Sequence, residues 1–264
     1  MKLIILTLIL SVASSVFAVE AQIDGIRYLL FDDGARAEVI SADRGNKYSG
    51  NIVIPKTVRY NNTDYSVTSI GIRSFEGCTS LTSVTIPEGV MSIEGYAFYG
   101  CTSLTSVTIP NSVKSIDRSA FQGCSRLSHI SIGYGVTSIG SCAFRYCKSL
   151  TTIIIPEGVT ILDSYVFCDC TGLTSIIIPK SVKGIVRHAF TWCSRLKDVY
   201  CYAESAPYDI DDLAFRDSNT GNATLHVPAA KIEHYKSEWP WSLFKNIVPL
   251  TDSDPSPAGI KRFQ

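Results

Sequence analysis

Apolar residues recur in this chain with a period of 23 positions. A leucine opens each of six copies, at Leu81, Leu104, Leu127, Leu150, Leu173 and Leu196. A full copy follows the pattern Leu-x-x-Val/Ile-x-Ile-Pro-x-x-Val-x-x-Ile-x-x-x-Ala-Phe-x-x-Cys. A fixed period of this length indicates a solenoid, because a single copy cannot bury its own apolar face and neighbouring copies must complete the core. The middle of the chain is therefore predicted to be a stack of like coils.

Within a copy, the pattern predicts a strand, a turn, a second apolar segment and a phenylalanine turn. The first strand ends in alternating apolar positions such as Val84 and Ile86, with one face turned inward. Proline then ends the strand in most copies, and Gly133 replaces it in the third. The following apolar pair, as in Val90 and Ile93, fits either a short extended segment or an irregular one. Each later Phe is predicted to pack on the Phe of the neighbouring coil.

The ends of the chain depart from the repeat. Asp32-Asp33-Gly34 and Asn61-Asn62 each lie between extended segments and predict two hairpins. After the sixth copy we expect a last stretched coil at 213–215, a strand at 225–228, a helix at 229–238, and Trp239, Trp241 and Phe244 plugging the open end. The predicted organisation is a signal peptide (1–18), a β-rich N-terminal cap (19–50), the solenoid (51–201), a mixed C-terminal cap (202–250) and a flexible tail (251–264).

The beginning of the chain resembles a secretory signal. Residues 3–17 are mostly apolar after Lys2, and Val16-Phe17-Ala18 ends in a small residue, which predicts cleavage after about Ala18. The alternative, a transmembrane anchor, is disfavoured because the stretch is too short to span a bilayer comfortably. Lys plus Arg and Asp plus Glu both total 24, so the net charge is zero. This balance disfavours nucleic-acid binding and a polybasic membrane patch, and no membrane insertion is expected.

Nine cysteines in a secreted chain would ordinarily suggest disulfides. Six of them, however, fall at one repeat position: Cys78, Cys101, Cys124, Cys147, Cys170 and Cys193. We interpret these as a ladder of small buried free thiols, while disulfides between neighbouring coils remain the alternative. Cys168-Asp169-Cys170 lacks the spacing and histidines of a zinc site, so neither a metal nor another cofactor is predicted.

The copies resemble the BspA-type leucine-rich repeats of bacterial surface and secreted proteins, notably those of Bacteroidetes. The Ile-Pro step, the Val-x-x-Ile step, the Ala-Phe pair and the Cys carry the resemblance, which is strong over residues 51–201. It implies a leucine-rich repeat solenoid of the α/β horseshoe class, strand-dominated, with stacked 23-residue repeats and a parallel sheet. It also implies a secreted or cell-surface recognition module of the adhesion type, whose partner is an extracellular protein or a glycan. The alternatives are a structural component that assembles with like subunits and, remotely, an enzyme with an unrecognised site.

In leucine-rich repeats the parallel strands line a concave wall, so outward residues of the first strand are the default binding surface. One outward position reads Thr85, Thr108, Ser131, Ile154, Ile177, Tyr200, and the position two before it includes His129 and Asp198. The apolar part of this row, with Tyr202, is predicted to form an exposed stripe and a binding site. Two alternatives stay open: these residues simply favour strands, or the C-terminal cap covers them.

A second candidate surface is the edge beside the phenylalanine turns, where Tyr99, Tyr146 and Trp192 occupy near-equivalent positions. Their rings either stack on a sugar or peptide or shield the turn. An enzyme is not expected, because the chain contains no Gly-x-Ser-x-Gly, His-Glu-x-x-His or phosphate-binding glycine loop. His129 has only hydroxyl residues as expected cross-strand neighbours, with no carboxylate to orient it as a triad requires.

Overall fold

The computed structural model describes residues 8–9, 18–42, 45–209 and 213–257. These residues form many short strands and a single turn-and-a-half of α-helix. In chain order the strands are β1 (Leu8–Ile9), β2 (Ala18–Ile23), β3 (Ile26–Phe31), β4 (Arg36–Ile40), β5 (Gly50–Val53), β6 (Thr57–Tyr60), β7 (Thr63–Ile70), β8 (Leu81–Thr85), β9 (Ser92–Ile93), β10 (Ser106–Ile109), β11 (Ser115–Ile116), β12 (His129–Ile132), β13 (Ser138–Ile139), β14 (Thr152–Ile154), β15 (Ile161–Leu162), β16 (Ser175–Ile178), β17 (Gly184–Ile185), β18 (Asp198–Cys201), β19 (Tyr208–Asp209), β20 (Thr224–Val227) and β21 (Asn246–Pro249). Helix α1 spans Ile232–Ser237, between 3-10 turns at Ala229–Lys231 and Trp241–Leu243.

The strands stack into two parallel ladders on different sides of the solenoid. The first ladder consists of β5-β8-β10-β12 and β14-β16-β18-β20-β21. The second contains β7-β9-β11-β13 and β15-β17-β19, so the Val-x-x-Ile step forms a short strand. Equivalent repeat positions pair directly, as Ser106 does with His129. The 23-residue period therefore sets the register of both ladders.

The phenylalanine turns form the third side, which also has its own hydrogen bonds between coils. The amide of Phe98 donates to the carbonyl of Ala120 at 2.7 Å, and the same bond repeats along the stack. The buried rings from Phe75 to Phe215 stack with centroids 4.9 to 5.5 Å apart, as the sequence predicts. Tyr48 closes this column at one end, and Trp241 and Phe244 meet Phe215 edge-on at the other.

The glycine that replaces proline in the third copy is explained by a close approach of two coils. A Cβ placed on Gly133 would lie 2.5 Å from the carbonyl oxygen of Pro110 in the coil before. The amide of Gly133 also donates to the carbonyl of Ile109 at 2.9 Å. The backbones therefore touch here, and no side chain fits between them.

The N-terminal part extends the second ladder with antiparallel strands. β2, β3 and β4 form a meander, and β4 pairs parallel with β7. Both predicted hairpins are present: β3 and β4 flank the first, and β6 and β7 the second, where Asn61 and Asn62 have positive φ. A third hairpin, between β2 and β3 at Asp24-Gly25, was not predicted from the sequence. Strand β1 pairs with β2, and the rest of the predicted signal peptide before Ala18 lies outside the described residues.

The C-terminal part continues the first ladder with a different spacing. Tyr200 pairs with His226, 26 residues later, and His226 pairs with Val248, 22 residues later. Phe215 still stacks on Phe190, so a stretched coil is present where the sequence predicts one. Trp241 is buried and donates from Nε1 to the carbonyl of Pro207 at 2.8 Å. Trp239 was also expected to plug this end, but it is 49% exposed.

The cysteine ladder consists of buried free thiols in the described chain. All nine cysteines are free, and all but Cys142 are buried. The Sγ of Cys124 donates to the carbonyl of Phe98 at 3.2 Å, and the other ladder thiols from Cys101 to Cys193 repeat this bond. Burial raises the pKa of Cys101 to about 12. The ladder therefore packs as small apolar groups with weak donors.

Candidate functional site

Two rows of side chains point outward from the first strand ladder. The row that contains the predicted apolar stripe runs through Val53, Thr85, Thr108, Ser131, Ile154, Ile177, Tyr200, His226 and Val248. Its first four members are exposed, and its later members are half-buried or buried. The face of the first ladder is therefore open at its N-terminal half and covered at its C-terminal half.

The prediction that Ile154, Ile177 and Tyr200 form one exposed stripe is wrong. Ile177 is only 1% exposed, while Ile154 and Tyr200 are half-buried. The residues do lie side by side, since Ile154 pairs with Ile177 and Ile177 with Tyr200. The C-terminal part of the chain, which the alternative places over these residues, contacts Tyr200 through His226.

His226, which was not a candidate on sequence grounds, lies against the stripe. The ring of His226 stacks on Tyr200, with the centroids 4.3 Å apart and the planes 24° apart. Its Nε2 lies 3.3 Å from Oδ1 of Asp198, and its Nδ1 lies 3.8 Å from Oδ2 of Asp254. The imidazole therefore lies between two carboxylates, one from β18 and one from the segment after β21.

That segment, residues 251–257, crosses the end of the strand face, and we call it the strap. Tyr202 donates from Oη to the carbonyl oxygen of Pro255 at 2.9 Å. The strap was expected to begin a flexible tail, yet Pro257 is buried and Asp254 half-buried. Burial, followed by the nearby carboxylate of Asp254, raises the pKa of Tyr202. Residues 258–264 of the predicted tail lie outside the described residues.

The remaining strand-face candidates, His129 and Asp198, lie in one row but in different surroundings. His129 is exposed, and its Nδ1 lies 2.9 Å from the hydroxyl of Ser128. It pairs with Ser106, as expected. Asp198 is half-buried beside His226. The row thus brings Asp198 to the covered half and leaves His129 on the open half.

The aromatic residues beside the phenylalanine turns do not form one column. Tyr146 and Trp192 share a position with φ of 63° and 61°, and Asp169 lies between them with φ of 60°. Tyr99 is one residue earlier in its own coil, where Gly100 occupies the shared position. Tyr99 leans on Tyr96, and Tyr146 is held by Arg145, whose Nη2 donates to its Oη at 2.8 Å. Trp192 is the most exposed of the three, at 46%.

The described residues contain neither a metal-binding cluster nor a membrane-spanning helix. None of their His, Cys, Asp and Glu side chains form a group of three able to hold a metal ion. Within the same residues, no helix has the length and apolar character needed to cross a membrane.

A family comparison assigns the repeats. The description "BspA type Leucine rich repeat region" matches six copies, over residues 56–174 and 121–236. The chain belongs to the BspA-type leucine-rich repeat family. Proteins of this family are generally located at the cell surface or secreted, commonly with protein-binding roles, and their fold is typically a non-enzymatic scaffold. No curated protein matches the chain.

Solved structures of bacterial leucine-rich repeat proteins are similar to this chain. A leucine-rich cell surface protein of Faecalibacterium prausnitzii is 31% identical, with a TM-score of 0.64 over 89% of this chain and 56% of that one. This chain thus spans just over half the length of that protein. A leucine-rich repeat protein of Treponema pallidum is 26% identical, with a TM-score of 0.64 over 72% of this chain and 86% of that one. One from Bacteroides ovatus, 24% identical with a TM-score of 0.52 over 87% and 76%, shares the fold.

The residues that distinguish this site, His226 and Asp254, lie outside the 23-residue repeat. His226 was missed because it follows Tyr200 by 26 residues rather than 23. A usable signal exists, since Leu225-His226-Val227 repeats the buried–outward–buried order of Val199-Tyr200-Cys201. Aligning these two triplets places His226 in the outward row. Asp254 carries no comparable signal, because it lies beyond the last strand.

Proposed function

We propose that this chain is a secreted or surface-exposed recognition module that binds a protein through the open half of its strand face. The observation that carries the proposal is the exposure of the outward row from Val53 to Ser131. Its central members are hydroxyl side chains, held in register by β8, β10 and β12.

The chemistry of this half suits a polar macromolecular surface. Serine and threonine hydroxyls both donate and accept hydrogen bonds, and here they repeat at the spacing of neighbouring strands, about 4.8 Å. The parallel ladder keeps them fixed, so little side-chain and backbone freedom is lost on binding. His129 adds one exposed imidazole to the same wall.

Secretion belongs to the same proposal. The apolar stretch 3–17 and the small residue Ala18 support a cleaved signal peptide. Residues 19–264 would then act outside the cell, in keeping with the surface location of the F. prausnitzii protein. N-terminal sequencing of the exported protein tests this directly, and a mature chain that retains residues 1–18 would contradict it.

A binding screen tests the recognition function. Residues 19–264 are immobilised and exposed to extracellular matrix proteins, mucins and glycans. For a partner that binds, the double variant Thr108→Lys/Ser131→Lys should reduce affinity by at least about tenfold, because it places two large charges on the open wall.

The matched control places the same charges on the second ladder. Ser138→Lys/Ile161→Lys alters two exposed residues of β13 and β15 and should leave the affinity unchanged. Equal losses in both variants, or no loss in the first, would remove the open wall as the binding surface. A glycan that binds through Trp192 instead would be revealed by loss of binding in Trp192→Ala.

A second function, assembly with like subunits, is favoured by one observation. β5 is an edge strand of its sheet, and Val53 on it is 68% exposed. Exposed edge strands offer unpaired backbone groups to another chain. Light scattering after size-exclusion chromatography should then show an oligomer that Val53→Lys dissociates, and a monomer at all concentrations would exclude this function.

A further inference from the structure

The strap is largely exposed and is attached to the rest of the chain at specific points. The chain leaves β21 with the amide of Leu250 bonded to the carbonyl of Val227 at 2.8 Å. A local turn follows, in which the amide of Thr251 donates to Oδ2 of Asp254 at 2.7 Å. Five of the seven strap residues are exposed, namely 251, 252, 253, 255 and 256. A segment with so little burial is expected to open far more readily than the stacked coils.

The contacts of the strap have a definite chemistry. A carboxylate, that of Asp254, lies beside the imidazole of His226. The carbonyl oxygen of Pro255 accepts a hydrogen bond from the hydroxyl of Tyr202. Pro257 is buried. The surface therefore accommodates an acidic residue followed by an extended, proline-containing backbone.

The receiving surface is formed by the coils and not by the strap itself. His226 is positioned by its stacking on Tyr200 and its contact with Asp198, which are independent of the strap. Alongside the strap lies a cavity of about 460 Å³, bordered by Lys180, Glu204 and Pro228. Strap residues Thr251, Asp252, Ser256 and Pro257 border the same cavity, so it lies between the strap and the coils.

We propose that this surface is a docking site for an extended acidic, proline-containing peptide of a partner protein, and that the strap is its intramolecular competitor. The site lies on the covered half of the strand face, apart from the open wall, and it adds a specific partner segment to the recognition function: an Asp-Pro-x-Pro-like stretch in the place of residues 254–257. A partner binds only the fraction of molecules in which the strap is open, so the strap lowers the apparent affinity by that fraction.

The test uses full-length protein and a synthetic probe, so it needs no natural partner. The probe is a fluorescein-labelled peptide with the sequence of residues 250–257, Leu-Thr-Asp-Ser-Asp-Pro-Ser-Pro. The release variant is Asp254→Lys/Pro257→Asp, which removes both covered strap residues. The control, Asp252→Lys/Ser253→Asp, makes the same change of charge at exposed strap residues.

Fluorescence anisotropy should show that the release variant binds the probe at least about tenfold more tightly than the wild type and the control. His226→Ala in the release background should abolish this binding, and a probe of scrambled sequence should not bind. The single variant Pro257→Asp provides a milder release if the double variant proves unstable by circular dichroism. Equal binding by release variant and wild type, or equal binding of the scrambled probe, overturns the proposal.

Three further outcomes separate this site from the other surfaces. A release variant that dimerises in light scattering and ignores the probe would show that the site takes the strap of a second copy, which also overturns the proposal. Loss of partner binding in Thr108→Lys/Ser131→Lys with intact probe binding would show that the two surfaces act separately. Probe binding with no partner found in the screen would support the docking site and leave the open wall without support.

Discussion

The ring of Phe121 lies nearly parallel to that of Phe144 in the next coil, with centroids 5.4 Å apart and 7° between the planes. Both rings are fully buried, and each contributes to two coil interfaces. Phe121→Ala is expected to lower the free energy of unfolding by about 3–5 kcal/mol, because it opens a cavity between two coils. Urea denaturation followed by circular dichroism measures the loss.

Phe31 provides the control for that experiment. It lies outside the stack, half-buried under the guanidinium of Arg36. Phe31→Ala should cost about 1 kcal/mol or less. Similar losses for the two variants would mean that the stack contributes no more than an ordinary surface ring.

Gly133 allows a prediction about close packing of the backbone. Gly133→Ala forces a Cβ to within 2.5 Å of the carbonyl oxygen of Pro110, so the coils must separate locally. The melting temperature should fall by several degrees, in line with a cost of about 1–3 kcal/mol. Gly95→Ala is the matched control, because the nearest atom to the added Cβ would be the carbonyl oxygen of Arg118 at 3.6 Å, an ordinary van der Waals distance. A Gly133→Ala protein as stable as Gly95→Ala would contradict the contact.

Cysteine reactivity should separate one thiol from the rest. Burial, with a smaller effect of Cys101, raises the pKa of Cys124 well above its usual range, and alkylation requires a thiolate. Cys142 is half-buried and should be the first to react. Mass spectrometry after brief iodoacetamide treatment of the native protein is expected to find a single label, on Cys142, and full labelling only in denaturant. Early labelling of Cys124 would contradict the ladder.

The pair Glu38 and Glu94 predicts a pH-dependent change in stability. Burial, followed by the like charge of Glu94, raises the pKa of Glu38. The folded chain therefore holds this proton more tightly than the unfolded chain, so stability falls as the pH rises through the window between the two pKa values. Glu38→Gln should raise the melting temperature at pH 7, and the gain should shrink as the pH is lowered towards about 4.

Glu157→Gln, at an exposed carboxylate, is the control for the pH series. It should change the melting temperature little at any pH. If Glu38→Gln is neutral or destabilising at pH 7, neither the burial of the ionised Glu38 carboxylate nor its repulsion by Glu94 limits stability.

The repeat positions explain why so much of the fold could be predicted. Leu104, Phe121 and Cys124 are fully buried, and the same side chains recur at the same spacing, so one copy describes the others. The covered half of the strand face could not be predicted in this way. It depends on contacts between β18, β20 and the strap, and those pairs are set by loop lengths that differ from the period.

Individual outward residues show the same limit. Thr108 is exposed and Ile177 is buried, although the two residues occupy the same repeat position and each follows a buried residue in its own strand. The repeat position alone therefore does not predict the exposure of an outward side chain. The difference arises from what packs over them. The period predicts which side chains face the inside of the solenoid. It does not predict which outward side chains are buried by segments distant in the sequence.

The equal register of the strand ladders and the phenylalanine column has a consequence for the length of the molecule. Each internal coil presents equivalent strands and an equivalent Phe to the coil on either side. Removing residues 105–127, one complete repeat, would therefore bring two equivalent coil surfaces together, with the same types of hydrogen bond and ring contact between them. Such a shortened protein should lose a share of its stability and keep its ends. The distance between the N-terminal edge and the strap can therefore change by insertion or deletion of complete repeats. Neither end of the molecule has to change with it.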